Sequence, residues 1–157
     1  MYLNVTGLSV KPIEIHTIGF TKASAREFFE KLKKAKIEQL IDVRLNNTSQ
    51  LAAFAKKEDL VYFLNEICGI KYMHEPLLAP TQEMLDQYKK EKCGWETYQD
   101  RFLKLMNDRK VESVLTPEMF CKRSVLLCSE HEAKNCHRSL VVTYLQSHWK
   151  DVTAIHL

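Results

Sequence analysis

Reactive side chains are concentrated in one short stretch of this sequence of 157 residues. Residues 128–130 read Cys-Ser-Glu, and after five further residues positions 136–139 read Cys-His-Arg-Ser. The second segment has the pattern of a helix start, where unpaired backbone N–H groups carry about half a positive charge and attract a phosphate or a carboxylate. Arg138 and Ser139 can add hydrogen bonds to such an anion. We therefore expect an anion-binding site at this point of the chain.

Thiol chemistry is a second interpretation of the same stretch. Cys136 would lie at a helix N-terminus beside His137 and Arg138, which is an environment that lowers the pKa of a thiol and makes it a nucleophile. Cys128 ends an apolar run, and we predict that it is a small buried side chain. A phosphatase loop of the form C-x5-R would need a cysteine where the chain has Glu132. If the protein is an enzyme, acid–base chemistry on an anionic substrate is therefore favoured over covalent phosphocysteine chemistry.

Cysteine and histidine are also metal ligands, and this stretch contains four of them. The weak candidates are Cys128, His131, Cys136 and His137. Their spacing does not match the arrangement of a structural zinc site. We therefore expect no metal and no other cofactor.

Polar residues also end two other predicted strands. Asp42 and Arg44 close one strand, Ser49 follows in the loop, and His74 closes the next strand. Because ligands of open α/β sheets bind outside the carboxyl ends of the strands, we expect these side chains to lie near the first site.

Residue type suggests a role for each candidate. The predicted catalytic residues, which can move a proton or attack a substrate, are Glu130, Asp42, His74 and Cys136. The predicted anion ligands, which offer paired guanidinium donors or a hydroxyl group, are Arg44, Arg138, Ser49 and Ser139. In the alternative interpretation, the two carboxylates and the two guanidinium groups neutralise each other in a buried network.

Composition limits the class of protein. The net charge of +3 is too small for a dedicated nucleic-acid binder, and the four glycines cannot form a dinucleotide-binding or P-loop motif. No apolar run approaches the roughly 20 residues that cross a bilayer, so we expect no membrane association. Residues 1–10 lack a signal-peptide pattern and the five cysteines contain no CxxC pair. We therefore expect a cytoplasmic protein with reduced thiols.

Strand and helix patterns alternate along the chain. The predicted strands are 14–20, 39–44, 70–75, 124–130 and 152–157. Between them, Ser24 and Glu27 form a capping box for one helix, and Gly69 has the place of a left-handed cap that ends a helix over 57–68. Two helical segments within 81–109 and a helix over 136–147 complete the pattern. These elements predict one α/β domain over 1–157, with 1–13 as a loosely attached segment. Its three layers are a mostly parallel five-stranded sheet with helices on both faces.

An ordered set of motifs over most of the chain resembles a known family. The motifs are TIG at 17–19, DVR at 42–44 with Ser49 and Phe54, GI at 69–70 with Tyr72, His74 and Pro76, and the CSE and CHRS segments. Together they are similar to the bacterial and archaeal family called domain of unknown function 488. The resemblance implies a compact α/β domain and marks the same polar positions. The chain departs from the pattern at Phe20 and Thr21, at Asn47, and at Ala79 and Pro80.

We conclude that the sequence favours an enzyme-like domain that binds an anionic small molecule or a nucleic-acid phosphate at the strand ends. One alternative is a non-catalytic nucleic-acid-binding or regulatory module. Its basic surface would consist of Lys31, Lys33, Lys34, Lys36, Lys89, Lys90 and Lys92. A second alternative is a thiol- or metal-responsive domain that uses Cys128 and Cys136.

Overall fold

The chain folds around a five-stranded sheet. The computed structural model describes residues 11–48, 52–130 and 132–157. In the described residues the strands are β1 (Ile13–Gly19), β2 (Gln39–Asp42), β3 (Lys71–His74), β4 (Ser124–Cys128) and β5 (Val152–His156). They lie in the order β3-β2-β4-β1-β5, and every pairing is parallel. The predicted α/β class with a parallel sheet is confirmed.

Helices connect the strands in the expected places. They are α1 (Ala25–Lys34), α2 (Lys57–Phe63), α3 (Gln82–Lys89), α4 (Trp95–Asp108), α5 (Val111–Val114) and α6 (His137–His148). A π-helical turn over Leu64–Cys68 continues α2, and short 3-10 turns occupy Ala53–Ala55, Pro76–Leu78 and Pro117–Phe120. None of the helices in the described part of the chain combines the length and the apolar character needed to cross a bilayer.

Local signals explain where two of these helices begin and end. The Ser24 hydroxyl accepts a hydrogen bond from the Glu27 N–H at 3.2 Å, and the Glu27 carboxylate accepts one from the Ser24 N–H at 2.8 Å. This is the predicted capping box, which pairs two N–H groups that a helix start leaves without partners. Gly69 has φ 65° and caps the π-helical turn, as its position predicted. The lysines of α1 are exposed, as expected of the solvated face of an amphipathic helix.

Strand β2 is shorter than predicted. The sequence suggested a strand through Arg44, but the strand ends at Asp42. The physical reason is local, because the Arg44 N–H donates to the Asp42 Oδ1 at 3.1 Å instead of joining the strand ladder. A side-chain acceptor has replaced a ladder partner, and the chain turns away from the sheet at this point.

Alternate residues of the strands pack into two separate cores. Leu126 and Cys128 of β4 face a core that includes Phe102 of α4 and Leu140 of α6. The side chains that alternate with these, such as Val125, pack on the other face of the sheet with residues of α1 and α2. Strand β4 therefore lies centrally with both faces covered, which explains its uninterrupted apolar sequence.

The order of the strands defines where a ligand should bind. The connections after β1 and β2 pass over the α1 and α2 face, whereas β4 leads into α6 on the other face. Neighbouring strands whose connections leave on opposite faces open a crevice at their carboxyl ends. That crevice lies at the end of β4, where Cys128 is located.

Candidate functional site

A cleft of about 290 Å³ opens at the carboxyl end of β4. Cys128, Cys136 and His137 lie together in its lining. The aromatic rings that line it come from the α3–α4 hairpin and are Tyr88, Trp95 and Tyr98. Its polar lining includes Asn46, Lys89, Glu130 and Asn135. The cleft therefore combines reactive side chains with aromatic surface and hydrogen-bonding groups, as small-molecule sites usually do.

The imidazole of His137 contacts the Cys128 thiol. The His137 Nε2 lies 2.9 Å from the carbonyl oxygen of Val43, and because a carbonyl only accepts, this nitrogen carries a proton. In the neutral ring the other nitrogen, Nδ1, is then unprotonated. It lies 3.3 Å from the Cys128 Sγ. The Val43 carbonyl thus fixes the tautomer that turns a basic nitrogen toward the thiol.

The surroundings shift the pKa values of the two cleft thiols in opposite directions. Burial raises the pKa of Cys128, but hydrogen bonds from the Cys136 thiol and the Glu130 N–H, together with the charge of Arg138, outweigh it and lower the pKa overall. The hydrogen bond to Cys128 and burial raise the pKa of Cys136 well above its ordinary value. The surroundings therefore favour the thiolate form of Cys128, although the helix-start argument had favoured Cys136 as the nucleophile.

Arg138 supports the loop that joins β4 to α6. It is 1% exposed, its Nε donates to the Thr17 Oγ1 at 3.3 Å, and its Nη1 donates to the Glu130 carbonyl oxygen. The same Nη1 lies 3.7 Å from the Cys136 Sγ. The guanidinium group therefore bridges β1, the loop and the start of α6, and it brings positive charge close to the thiols.

Gly19 allows this bridge to form. A Cβ atom added at Gly19 would overlap the Glu130 carbonyl oxygen and would lie 2.7 Å from the Arg138 Nη1. Any side chain at this position would displace the backbone of the loop. The glycine is therefore required by a close approach of two backbone segments, rather than by a left-handed conformation.

A second buried network lies at the end of β2. Asp42 accepts from the Arg44 Nε and Nη2, both at 2.8 Å, and from the Tyr72 hydroxyl at 2.6 Å. Asn47 adds a longer contact of 3.4 Å. Burial raises the pKa of Asp42, but the hydrogen bonds and charge of Arg44 outweigh it and lower the pKa. Asp42 is fully buried and Arg44 is 2% exposed, so this ion pair matches the buried network that was the alternative interpretation of these residues.

Comparison with known proteins identifies the family. A family model described as "Domain of unknown function DUF488" matches residues 24–145. The chain belongs to the DUF488 family. The DUF488 match extends from the N-cap of α1 into α6, and it contains both cysteines of the cleft. No curated protein and no solved structure matches the chain.

The structure brings part of the predicted DUF488 site together. Arg44, Glu130 and Cys136 line the cleft, together with Cys128 and His137 from the list of weak metal candidates. The side chains of Asp42 and His74 contact Arg44 instead, since the His74 Nε2 lies 2.9 Å from the Arg44 carbonyl oxygen. The Ser139 hydroxyl donates to the Cys136 carbonyl oxygen at 2.7 Å, within the first turn of α6. Ser49 and His131 lie outside the described residues.

The sequence analysis assigned no role in the site to several residues that shape it. Tyr72 and Asn47 complete the shell around Asp42, and the rings of Tyr88 and Trp95 line the cleft. Tyr72 lies in β3 two residues before His74. Its contact with Asp42 can be predicted only when β3 is known to pair with β2. Tyr98 is 3% exposed and packs in the core, and it also lines the cleft.

Proposed function

We propose that the cleft is the active site of a cysteine-dependent enzyme that acts on an anionic small molecule. Cys128 is the nucleophile and His137 is its general base. The observation that carries the proposal is the contact of 3.3 Å between the Cys128 Sγ and the His137 Nδ1, with the opposite ring nitrogen held by the Val43 carbonyl. A nucleophile, a base within reach and a group that orients the base make up the arrangement of covalent catalysis.

The reaction that this arrangement supports is a group transfer through sulfur. His137 Nδ1 takes the proton of the Cys128 thiol, and the sulfur forms a bond to an electrophilic carbon of the substrate. The bond from that carbon to its leaving group breaks, the electron pair leaves with the group, and the group takes the proton from His137. A water molecule that His137 deprotonates then displaces the sulfur, and the thiolate recovers a proton. Glu130 lines the same cleft and is the candidate for a second proton-transfer group.

Lys89 and the start of α6 are the features of the cleft that favour an anionic substrate. Lys89 belongs to the lining, as does one acidic residue in the described part of the chain, Glu130. The charge of Arg44 is already balanced by Asp42. The N-terminus of α6, a helix of 12 residues, adds its partial positive charge. Asp42 and His74 act on this site by holding Arg44 in place. A volume of about 290 Å³ suits a small molecule rather than a polymer, so we favour this class over a nucleic-acid phosphate.

The proposed mechanism requires a reducing compartment. Cys128 attacks as a thiolate, and Cys136 lies close enough for the two sulfurs to be lost together by oxidation. We therefore propose that the protein works in the cytoplasm, where thiols stay reduced.

The experiment is a measurement of thiol reactivity residue by residue. The reduced full-length protein is treated with iodoacetamide at pH 7, and the alkylation rate of each cysteine is followed by peptide mass spectrometry. His137→Gln keeps an N–H that can reach the Val43 carbonyl but removes the base. We expect this variant to slow the alkylation of Cys128 by about 100-fold, which is the usual size of a general-base contribution.

Cys121 supplies the internal control because it is exposed at the opposite end of β4. Its alkylation rate should be the same in the wild type and in His137→Gln. An unchanged rate at Cys128 in the variant would show that His137 does not activate the thiol. In that case the proposed mechanism is wrong. If His137→Gln does slow the alkylation of Cys128, a screen of anionic electrophiles for covalent adducts on Cys128 identifies the substrate class.

A further inference from the structure

Cys136 has only a supporting part in the proposed mechanism. Cys136 is 1% exposed, and its thiol adjoins both Cys128 and the guanidinium group of Arg138. Its hydrogen bond favours the Cys128 thiolate, but its sulfur neither attacks the substrate nor moves a proton. Two thiols and an imidazole nitrogen that lie this close together are also a set of metal ligands.

The three donor atoms have the spacing of a metal site. The sulfur atoms of Cys128 and Cys136 and a ring nitrogen of His137 all lie within 4.8 Å of one another. Zinc bonds of about 2.3 Å to sulfur and about 2.0 Å to nitrogen place tetrahedral ligand atoms about 3.5–3.8 Å apart. The contact of 3.3 Å between Cys128 and His137 is close to this separation. The upper limit of 4.8 Å exceeds the tetrahedral separation by about 1 Å.

The surroundings of His137 support the same inference independently. Metal-binding histidines usually donate their second ring N–H to a carbonyl or a carboxylate, which fixes the tautomer and the orientation of the ring. The Nε2–H of His137 donates to the Val43 carbonyl oxygen at 2.9 Å, so Nδ1, which contacts the Cys128 thiol, is the nitrogen with a free lone pair. The partner that a metal-bound histidine requires is therefore already present.

We infer that Cys128, Cys136 and His137 form a binding site for one thiophilic divalent cation of the zinc class. Binding forms two metal–sulfur bonds and releases the two thiol protons, so the two thiolates cancel the charge of the dication. Thiolate and imidazole are the ligands that select such ions over magnesium or calcium. All three residues line the cleft, which leaves the fourth position for a water or a small ligand. If the proposed function holds, an ion bound here withdraws Cys128 from covalent chemistry.

The test uses Co²⁺ as a spectroscopic probe of the full-length chain, reduced, stripped of metal with a chelator and kept free of oxygen. We expect one Co²⁺ per chain and a thiolate-to-cobalt charge-transfer band. Cys128→Ser and Cys136→Ser should each reduce the band and weaken Co²⁺ binding by at least about 100-fold, since loss of an outer-shell partner alone costs about 10–100-fold. Cys121→Ser is the matched control and should leave the band and the affinity unchanged.

A second measurement does not depend on whether these variants fold. Zn²⁺ added to the wild-type protein should protect Cys128 and Cys136 from iodoacetamide, while Cys121 is alkylated at its usual rate. No charge-transfer band and no protection by Zn²⁺ would overturn the metal site, and rapid alkylation of Cys128 in the metal-free protein would leave the proposed function intact. Conversely, tight Co²⁺ binding with a Cys128 that is inert in the metal-free protein supports the metal site and overturns the nucleophile.

Discussion

Arg44 donates two hydrogen bonds of 2.8 Å to the carboxylate of Asp42, from Nε and from Nη2, and both residues are buried. A third guanidinium nitrogen, Nη1, donates to the Ala55 carbonyl oxygen at 2.8 Å. The pair therefore fixes the loop after β2 to the segment before α2. It also fixes the side of the cleft to which Arg44 belongs.

Loss of the Asp42 charge should destabilise the protein strongly. In Asp42→Asn the buried guanidinium group keeps its charge but loses its counter-ion, which typically costs about 3–5 kcal/mol. The free energy of unfolding from urea titration measures this loss. The control is Asp86→Asn, which removes the exposed ion pair with Lys90 and should leave the urea midpoint almost unchanged. Equal stability of Asp42→Asn and the wild type would contradict the role given to the buried pair.

The same carboxylate predicts a loss of stability in acid. Because the pKa of Asp42 in the folded protein is lower than its ordinary value of 3.8, the unfolded chain takes up a proton at a higher pH than the folded chain does. The ionised Asp42 carboxylate contributes its full stabilisation above pH 3.8. That contribution is lost as the pH falls through the lower pKa that Asp42 has in the folded protein. Urea titrations between pH 6 and pH 2 should show a steep acid limb for the wild type. Asp42→Asn should have a flatter limb, and parallel limbs would exclude Asp42 as its source.

The hydroxyl of Tyr72 is expected to contribute through the same carboxylate. It donates to the Asp42 Oδ2 at 2.6 Å and lies within 3.1 Å of the Asn47 Nδ2. Tyr72→Phe removes a hydrogen bond to a charged group, which is worth about 1.5–3 kcal/mol, and leaves the ring in place. Thermal unfolding should report the loss. Tyr62→Phe is the control, because Tyr62 is 61% exposed and its replacement should not change the melting temperature.

Gly19 should tolerate no side chain. In Gly19→Ala the added methyl group meets the backbone of Glu130 and the guanidinium group of Arg138, so the loop that follows Cys128 has to move. Overpacking of this kind typically costs about 1–3 kcal/mol, and contact with rigid backbone places the variant at or above the upper end. Gly94→Ala is the matched control, because a Cβ added there meets no atom within 4 Å. If the two variants melt at the same temperature, the close approach at Gly19 is not rigid.

His16 should make stability depend on pH near neutrality. It is 4% exposed, and its Nδ1 has no hydrogen-bond partner among the residues that the structure describes. Burial, and then the charge of Arg123, lower its pKa below the ordinary value of 6.5. The uncharged His16 ring therefore contributes its full stabilisation of the folded protein above pH 6.5. That contribution is lost as the pH falls through the lower pKa that His16 has in the folded protein. Urea midpoints measured from pH 7.5 to pH 5 should decline less in His16→Leu than in the wild type, and identical slopes would contradict the prediction.

Features set by neighbouring residues could be predicted from the sequence. The capping box of Ser24 and Glu27 and the left-handed cap at Gly69 depend on residues within a few positions, and both are present. The sequence of β4 is apolar without alternation, which is typical of a strand covered on both faces, and all five of its residues are buried. The alternation of strands and helices then led to the correct fold class.

The site was less predictable because its contacts join distant parts of the chain. The acidity of Cys128 depends on the Cys136 thiol, the Glu130 N–H and the charge of Arg138, and the orientation of His137 depends on a carbonyl 94 residues earlier. A helix-start argument applied to Cys136 alone could not include the second thiol. The partners of Asp42 likewise required knowledge that β3 pairs with β2.

The pairing of β1 also restricts the order in which the molecule can assemble. Both neighbours of this early strand, β4 and β5, come from the last part of the chain, roughly a hundred residues or more further on. While the chain emerges from the ribosome, α1 can form, but β1 has no partner and its apolar side chains remain uncovered. Such long-range pairing slows folding and prolongs exposure of an unpaired strand. The sheet can therefore be completed only after α6 and β5 have been synthesised.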